Sequence, residues 1–180
     1  AKHHPQTYEP DLAASYSNLA NWYSDTQRFS ESERMCKTAI SIYERLAKAN
    51  PQVYEPDLAR LYHNLADLYS NCQRFSESET MHKSSLAIRE RLAKANPQAY
   101  EPNLAMSYGQ WANLYHKTQR FSESEEMYKL ALAIYERLAK ANPQAYEPDL
   151  AMSYNNLAVL YSDTQRFPDS EAMHQSALTI

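Results

Sequence analysis

The sequence predicts an all-α fold, an α-solenoid of four stacked helix-turn-helix repeats. The first observation is that the string Pro-Gln-x-Tyr-Glu-Pro begins at Pro5, Pro51, Pro97 and Pro143, a constant step of 46 residues. Such a strict period is typical of an array of like structural units. The second observation is that the 180 residues include one glycine, Gly109. β folds rich in tight hairpins need residues at positive φ, which glycine usually supplies, so this composition argues against them.

We expect one repeat domain over residues 1–180, with repeats at about 5–50, 51–96, 97–142 and 143–180. The first and third repeats continue into a Tyr-Glu-Arg-Leu string that the fourth does not reach. We therefore interpret the chain as a fragment of a longer array, with a truncated last repeat.

Each repeat is predicted to open with an amphipathic helix. In the first repeat the apolar residues with helical spacing are Leu12, Tyr16, Leu19, Ala20 and Tyr23, which would form one buried face. The residue before a proline disfavours helical geometry, while proline and an acid suit a first turn. The helix is therefore expected to begin near Glu9 and Pro10.

A second helix is expected after a short connection at residues 24–29. Ser30 and Glu33 have the spacing of a capping box, in which each side chain bonds an unpaired backbone N–H. The pairs Ser76/Glu79 and Ser122/Glu125 repeat it, and Pro168 replaces it in the fourth repeat. Asn50 and Pro51 should end the helix. One such pair cannot bury both of its apolar faces, so the pairs should stack.

The first helices also carry a family pattern. Tyr16, Leu19, Ala20 and Tyr23 resemble the tetratricopeptide repeat in spacing, and equivalent sets start at Tyr62, Tyr108 and Tyr154. The long second helix and the Asn-Leu-Ala motifs are most similar to the extended repeats of kinesin light chains and related bacterial arrays. The resemblance implies a right-handed superhelix that acts as an interaction scaffold, with an extended peptide bound along a concave surface lined mainly by first helices.

Comparison of the four repeats separates constant from changing positions. In the first repeat the positions that change between repeats are Ala14, Ser17, Asn21, Ser24 and Asp25. Their spacing puts them on one helical face, which we call the variable stripe and expect to lie away from the core. Beside it, one position holds a carboxamide in every repeat. The predicted peptide-binding residues of both sets are Asn18, Asn21, Arg60, His63, Asn64, Asp67, Met106, Gln110, Asn113, His116, Lys117 and Asn156.

The carboxamides allow two interpretations. An amide offers both a donor and an acceptor, which suits the backbone of an extended peptide. Alternatively, these side chains bond one another between neighbouring first helices. Gly109 also allows two interpretations, because a glycine in mid-helix could form a notch for a partner's side chain or could be neutral variation.

The leading functional prediction is recognition of a protein or peptide partner in a groove. The alternative is a structural spacer or self-assembling segment whose contacts are end to end. The net charge of −4 argues against nucleic acid, and the interrupted apolar stretches argue against a membrane span. No catalytic, metal or cofactor pattern is found in the sequence. The unrelated positions of Cys36 and Cys72 predict free thiols and a cytoplasmic location.

Overall fold

The computed structural model describes residues 5–180, and within that range it contains helices and no strand. The helices are α1 (Pro5–Asp25), α2 (Phe29–Ala49), α3 (Pro51–Asn71), α4 (Phe75–Ala95), α5 (Pro97–Lys117), α6 (Phe121–Ala141), α7 (Pro143–Asp163) and α8 (Phe167–Leu178). Each repeat is one helix-turn-helix pair, so the predicted all-α repeat fold is confirmed. Residues 1–4 of the predicted domain lie outside the described residues.

The chain divides into two compact units, and the division falls within α4, between Arg91 and Leu92. In the first unit α2 packs against both α1 and α3, and α1 also contacts α3. In the second unit α6 packs against both α5 and α7, and α7 packs against α8. In both units a second helix therefore covers its own first helix and that of the next repeat.

The first helices begin five residues earlier than the sequence indicated. Pro51, Pro97 and Pro143 stand at the helix start, where a fixed φ is favourable and the missing N–H costs nothing. Asn96 and Asn142 cap the starts of α5 and α7 by accepting from the backbone N–H three residues on, whereas Asn50 makes no such bond at the start of α3. The later prolines, such as Pro56, lie inside the helix. The expected boundary near Glu9 is therefore wrong: α1 already begins at Pro5 and Pro10 lies inside it, because a proline at the helix start about one turn earlier outweighs the preference of the residue before the second proline.

The predicted capping box is also wrong. Helix α2 begins at Phe29, one residue before Ser30, and Arg28 at the N-cap makes no side-chain cap bond. The start of α6 at Phe121 has the same form. Ser30 is exposed, and the carboxylate of Glu33 bonds Arg74 of the next repeat. Glu33, the acid of the predicted capping box, therefore forms a long-range ion pair instead of a bond to the start of its own helix. The proline start of α8 is confirmed.

The two helices of each repeat are joined by a tight turn with one residue at positive φ. That residue is Gln27, Gln73, Gln119 or Gln165, with φ of 59–60°. After α1, Gln27 N donates to Ser24 O and Arg28 N donates to Tyr23 O, at 2.9 and 2.8 Å. These two bonds form a Schellman motif, which usually places glycine at this position.

Small side chains let the paired helices approach closely. Ser32 is buried in α2 and donates its hydroxyl to the carbonyl of Ala20 at 2.8 Å. The same bond recurs from Ser78, Ser124 and Ser170. The predicted buried face of the first helices holds in α3 and α7. In α1, Leu12 and Leu19 are exposed, because within the described chain no second helix of another repeat packs against that face.

Candidate functional site

A cleft of about 210 Å³ lies in the second unit, between α5, α6 and α7. It brings together four of the predicted binding residues, Met106, Gln110, Asn113 and Asn156. The complete lining consists of Ala105, Met106, Gly109, Gln110, Asn113, Tyr128, Ala131, Tyr135, Met152, Ser153 and Asn156. None of these side chains carries a charge, so the cleft suits a neutral or apolar group.

Two substitutions between repeats account for the cleft. A Cβ built on Gly109 would meet no atom within 4 Å, so the glycine leaves open space beside α5. Ser153 on α7 stands where Leu61 stands on α3, and Leu61 is fully buried. In the first unit the side chain of Leu61 therefore fills the volume that stays free in the second unit. Gly109 therefore leaves open space at the cleft, and the use of this space by a partner's side chain stays a prediction.

The polar groups at the cleft differ in how they are engaged. The hydroxyl of Tyr128 donates to Asn113 Oδ1, which fixes that carboxamide. Burial raises the pKa of Tyr128 and of Tyr135 to about 12, so both rings stay neutral. Among the hydrogen bonds of the described residues, none involves the side chains of Gln110 and Asn156. These two carboxamides line the cleft with donors and acceptors available.

In the first unit the predicted residues contact one another. Asn64 Nδ2 on α3 donates to Asn21 Oδ1 on α1 at 3.1 Å. For this pair the structure therefore has the second arrangement considered from the sequence, in which carboxamides bond each other between neighbouring first helices. Arg60 bonds Asp57 at 2.8 Å and Ser17 at 3.3 Å. A groove of about 400 Å³ is lined by this carboxamide pair together with Asp25 and Asp67, so most of its lining is polar.

His63 does not lie on an exposed surface as the variable stripe predicted, and neither does Ser17. Both are buried. The ring of His63 lies 5.9 Å from that of His82, and its Nε2 lies 3.4 Å from Asp67 Oδ2. Burial, followed by the nearby Arg89 guanidinium, lowers the pKa of His63 to about 3 and that of His82 to about 4. The two imidazoles are therefore neutral near pH 7 and form part of the packing between α3 and α4.

The remaining predicted residues are dispersed. His116 on α5 bonds Asp163 on α7 at 2.9 Å and contacts the ring of Phe121, so it joins two first helices. Lys117 and Asn18 are exposed. Neither lines the cleft in the second unit.

Sequence reasoning missed the walls of the cleft. Tyr128 and Tyr135 had the spacing of core residues, and Ser153 occupies a position that was not compared between repeats. That comparison gives serine at residues 15, 107 and 153 and leucine at residue 61. The change in side-chain size was the available signal.

Residues 5–180 contain neither a candidate metal-binding cluster nor a helix suited to span a membrane. No group of three His, Cys, Asp or Glu side chains in residues 5–180 is placed to hold a metal ion. None of the described helices is both long and apolar enough to cross a bilayer. Cys36 and Cys72 are free thiols, as predicted.

Comparison with solved structures identifies similar helical arrays. BtubC (BKLC) from P. vanneervenii, known from a crystal structure, is 24% identical with a TM-score of 0.78, over 94% of this chain and 63% of that one. The apo form of RapI is 16% identical with a TM-score of 0.76, over 94% and 42%. A putative kinesin light chain from Podospora anserina with nearly identical TPR-like repeats is 16% identical with a TM-score of 0.70, over 93% and 74%. The chain thus spans less than two thirds of the first two proteins, and these likenesses show the fold alone.

The family comparison is more direct. No curated protein sequence matches the chain. Models described as tetratricopeptide repeat match residues 57–137 and 103–180, and a further one matches residues 12–52. Since these matches cover most of the chain, and the repeats have the helix pairing described above, the chain belongs to the tetratricopeptide repeat family.

Proposed function

We propose that the protein is an interaction scaffold that binds an extended peptide segment of a partner protein along α5 and α7. The observation that carries this proposal is the uncharged cleft at Gly109. At about 210 Å³ the cleft is smaller than the roughly 300–1,000 Å³ of typical small-molecule sites. A single inserted side chain matches that size better than a whole small ligand.

The lining determines which side chain suits the cleft. Met106 and Met152 are flexible and polarisable, so they adapt to apolar groups of different shape. Ala105, Ala131 and Gly109 add little bulk. Because a charged group would lose its hydration without gaining a partner, an aliphatic side chain is favoured.

The peptide backbone has partners beside the cleft. Gln110 on α5 and Asn156 on α7 each present a carboxamide there. An extended backbone offers alternating N–H and C=O groups, which a carboxamide can pair with in either sense. The tetratricopeptide family consists largely of protein-interaction scaffolds, which supports this role. The proposal gives the cleft no catalytic part, since its lining contains no carboxylate, imidazole or thiol. The free thiols support a cytoplasmic location.

The test is a selection of displayed random peptides on the protein, followed by affinity measurements on variants. Ser153→Leu should fill the cleft as Leu61 fills the equivalent volume in the first unit. The selected peptides should share one aliphatic residue and bind this variant at least about tenfold more weakly. Ala133→Leu, on the exposed face of α6, is the matched control and should bind normally. Peptides that bind Ser153→Leu as well as the parent would refute the cleft assignment.

The alternative role, a structural segment that assembles end to end, would use other surfaces. Those surfaces are the outer faces of α1 and α8, where large apolar side chains are exposed.

A further inference from the structure

The two exposed methionines of the chain lie at the same cleft. Met106 is 39% exposed and Met152 is 54% exposed, and both line the cleft in the second unit. All six methionines fall within residues 5–180. The other four are buried or half-buried, and they are Met35, Met81, Met127 and Met173. An oxidant in solution therefore reaches the sulfur atoms of the cleft more readily than the rest.

Packing protects the sulfur atoms away from the cleft. Met127 of α6 and Met173 of α8 pack against the apolar cluster that includes Tyr128 and Leu157. Met35 is buried in the core of the first unit. Because oxidation of a side chain follows its exposure, burial slows the reaction at these positions. The methionines of the cleft are thus the ones that the fold leaves open to oxidation.

The reaction is a two-electron oxidation of the thioether by hydrogen peroxide. A lone pair on the sulfur attacks one peroxide oxygen, the O–O bond breaks and an S–O bond forms. The released hydroxide takes the proton of the new S–OH group and leaves as water. The sulfur is oxidised to a sulfoxide and the peroxide is reduced to water, which converts an apolar side chain into a polar one.

A sulfoxide at either position would make the cleft unsuitable for an aliphatic group. Its oxygen is a strong acceptor that keeps its hydrogen bonds to water while the cleft is open. An entering aliphatic side chain would displace that water. Ala105, Gly109 and Ala131 of the lining have no side-chain donor to replace it. The oxygen would then be buried without a partner, which is unfavourable.

Each methionine also stands one helical turn from a carboxamide of the cleft. Gln110 follows Met106 by four residues on α5, and Asn156 follows Met152 by four residues on α7. Side chains four residues apart on a helix are neighbours. The sulfoxide oxygen can therefore accept from the amide NH₂ of its neighbour. That bond would occupy a donor that the proposed function assigns to the peptide backbone.

The first unit has no equivalent arrangement. The positions equivalent to Met106 hold Ala14 in α1 and Arg60 in α3, and neither side chain contains sulfur. The sensitivity to oxidation is thus confined to the unit that contains the cleft.

We infer that Met106 and Met152 form a reversible oxidation switch, in which peroxide closes the cleft to the partner's side chain. The inference rests on the proposed peptide binding at this cleft. A thiol-dependent methionine sulfoxide reductase reverses the step, since the sulfoxide oxygen leaves as water while two thiols of the reductase become a disulfide. No change of fold is required, because both methionine side chains are exposed.

Treatment of the 180-residue protein with hydrogen peroxide, followed by mass spectrometry of its fragments, measures which sulfur atoms react. Met106 and Met152 should each gain one oxygen atom at least about fivefold faster than any other methionine. The affinity for a selected peptide should then fall by about tenfold or more. Methionine sulfoxide reductase should restore it, and circular dichroism should show the helices intact throughout.

Two double variants assign the effect to the cleft. Met106→Leu with Met152→Leu keeps an apolar lining of similar volume but leaves no sulfur to oxidise there. Whatever its starting affinity, peroxide should change that affinity by less than about twofold. Met127→Leu with Met173→Leu is the matched control, and it should lose affinity on treatment as the parent does.

The outcomes separate the switch from the binding that it regulates. Faster oxidation of another methionine, unchanged affinity of the oxidised parent, or loss of its helices would overturn the switch alone. So would an equal loss of affinity in the Met106→Leu/Met152→Leu variant. A parent protein that selects no peptide would refute the proposed function, and the switch with it.

Discussion

The Asn64 side chain on α3 donates from Nδ2 to Oδ1 of Asn21 on α1, 3.1 Å away. The bond joins the first helices of two successive repeats. It means that a carboxamide at this position can serve the array itself, whereas Gln110 and Asn156 line an open cleft in the second unit. Residues at equivalent positions in the repeats therefore have different tasks.

This difference predicts unequal effects of truncation on stability. Asn64→Ala removes a hydrogen bond between helices and should lower the free energy of unfolding by about 0.5–1.5 kcal/mol. Asn156→Ala removes no such bond and should change it by less than about 0.5 kcal/mol. Urea denaturation of both variants makes the comparison. Equal losses in the two would contradict the distinction between them.

The carboxylate of Glu33 should contribute to stability in acid. Its bond with Arg74, followed by bonds with Lys37 and Tyr69, lowers the pKa of Glu33 to about 2 from 4.5. The folded state thus favours the ionised form, so the contribution is present above pH 4.5 and is lost as the pH falls toward 2. Glu33→Gln should lower the melting temperature at pH 7 and flatten its fall between these values. Glu126→Gln, on an exposed face, is the control. A Glu33→Gln protein with the parent's melting temperature at pH 7 would refute this role.

The buried imidazoles of His63 and His82 should make the stability depend on pH over a higher range than Glu33 does. Burial holds the pKa of His63 at about 3 and that of His82 at about 4, against 6.5 ordinarily. Between pH 6.5 and pH 4 the unfolded chain therefore binds more protons than the folded chain. The free energy of unfolding is highest above pH 6.5 and falls as the pH drops toward 4. The two together should lose about 1–4 kcal/mol over this range.

The histidine effect can be isolated by substitution. His82→Tyr introduces the residue that Tyr128 supplies at the equivalent position, and it should reduce the pH dependence between 6.5 and 4. His174→Ala, on an exposed part of α8, should leave it unchanged. Stability that stays constant from pH 7 to pH 4.5 would contradict the assignment of neutral buried imidazoles.

The turn glutamines are strained relative to glycine. Gln119 has a φ of 59°, a conformation that disfavours any residue with a Cβ by about 1 kcal/mol. Gln119→Gly should therefore raise the free energy of unfolding by roughly 0.5–1 kcal/mol. Ala133→Gly, in the middle of α6, should lower it by about 1 kcal/mol. A destabilised Gln119→Gly protein would show that its side chain contributes more than its backbone strain costs.

The sequence predicted the features that depend on local periodicity. The repeat length, the two helices of each repeat and the place of the turn at Gln27 all follow from spacings within a few turns of helix. The expected start near Glu9 was wrong, because the preference of the residue before Pro10 is weak beside the proline at the true start, Pro5. The role of Glu33 was missed for another reason: its partner Arg74 is 41 residues away.

The candidate site was harder to predict than the fold. The burial of His63 depends on His82 of another helix, which the variation of a single face cannot reveal. The cleft exists because Gly109 and Ser153 are both small and come together from α5 and α7. Either substitution alone resembles neutral variation, and only the packing of the two helices joins them.

The most direct test of groove binding is to measure melting temperature and peptide affinity on the same Gly109 variants. Gly109→Ala and Gly109→Leu add helix-favouring residues where a Cβ meets no atom within 4 Å, so each should stabilise the protein by up to about 1 kcal/mol. Because both side chains enter the cleft, the account predicts that affinity for a selected peptide falls in each, by about tenfold or more for leucine. Stabilised variants that bind the peptide with unchanged affinity would contradict the proposal that the cleft at Gly109 receives the partner's side chain.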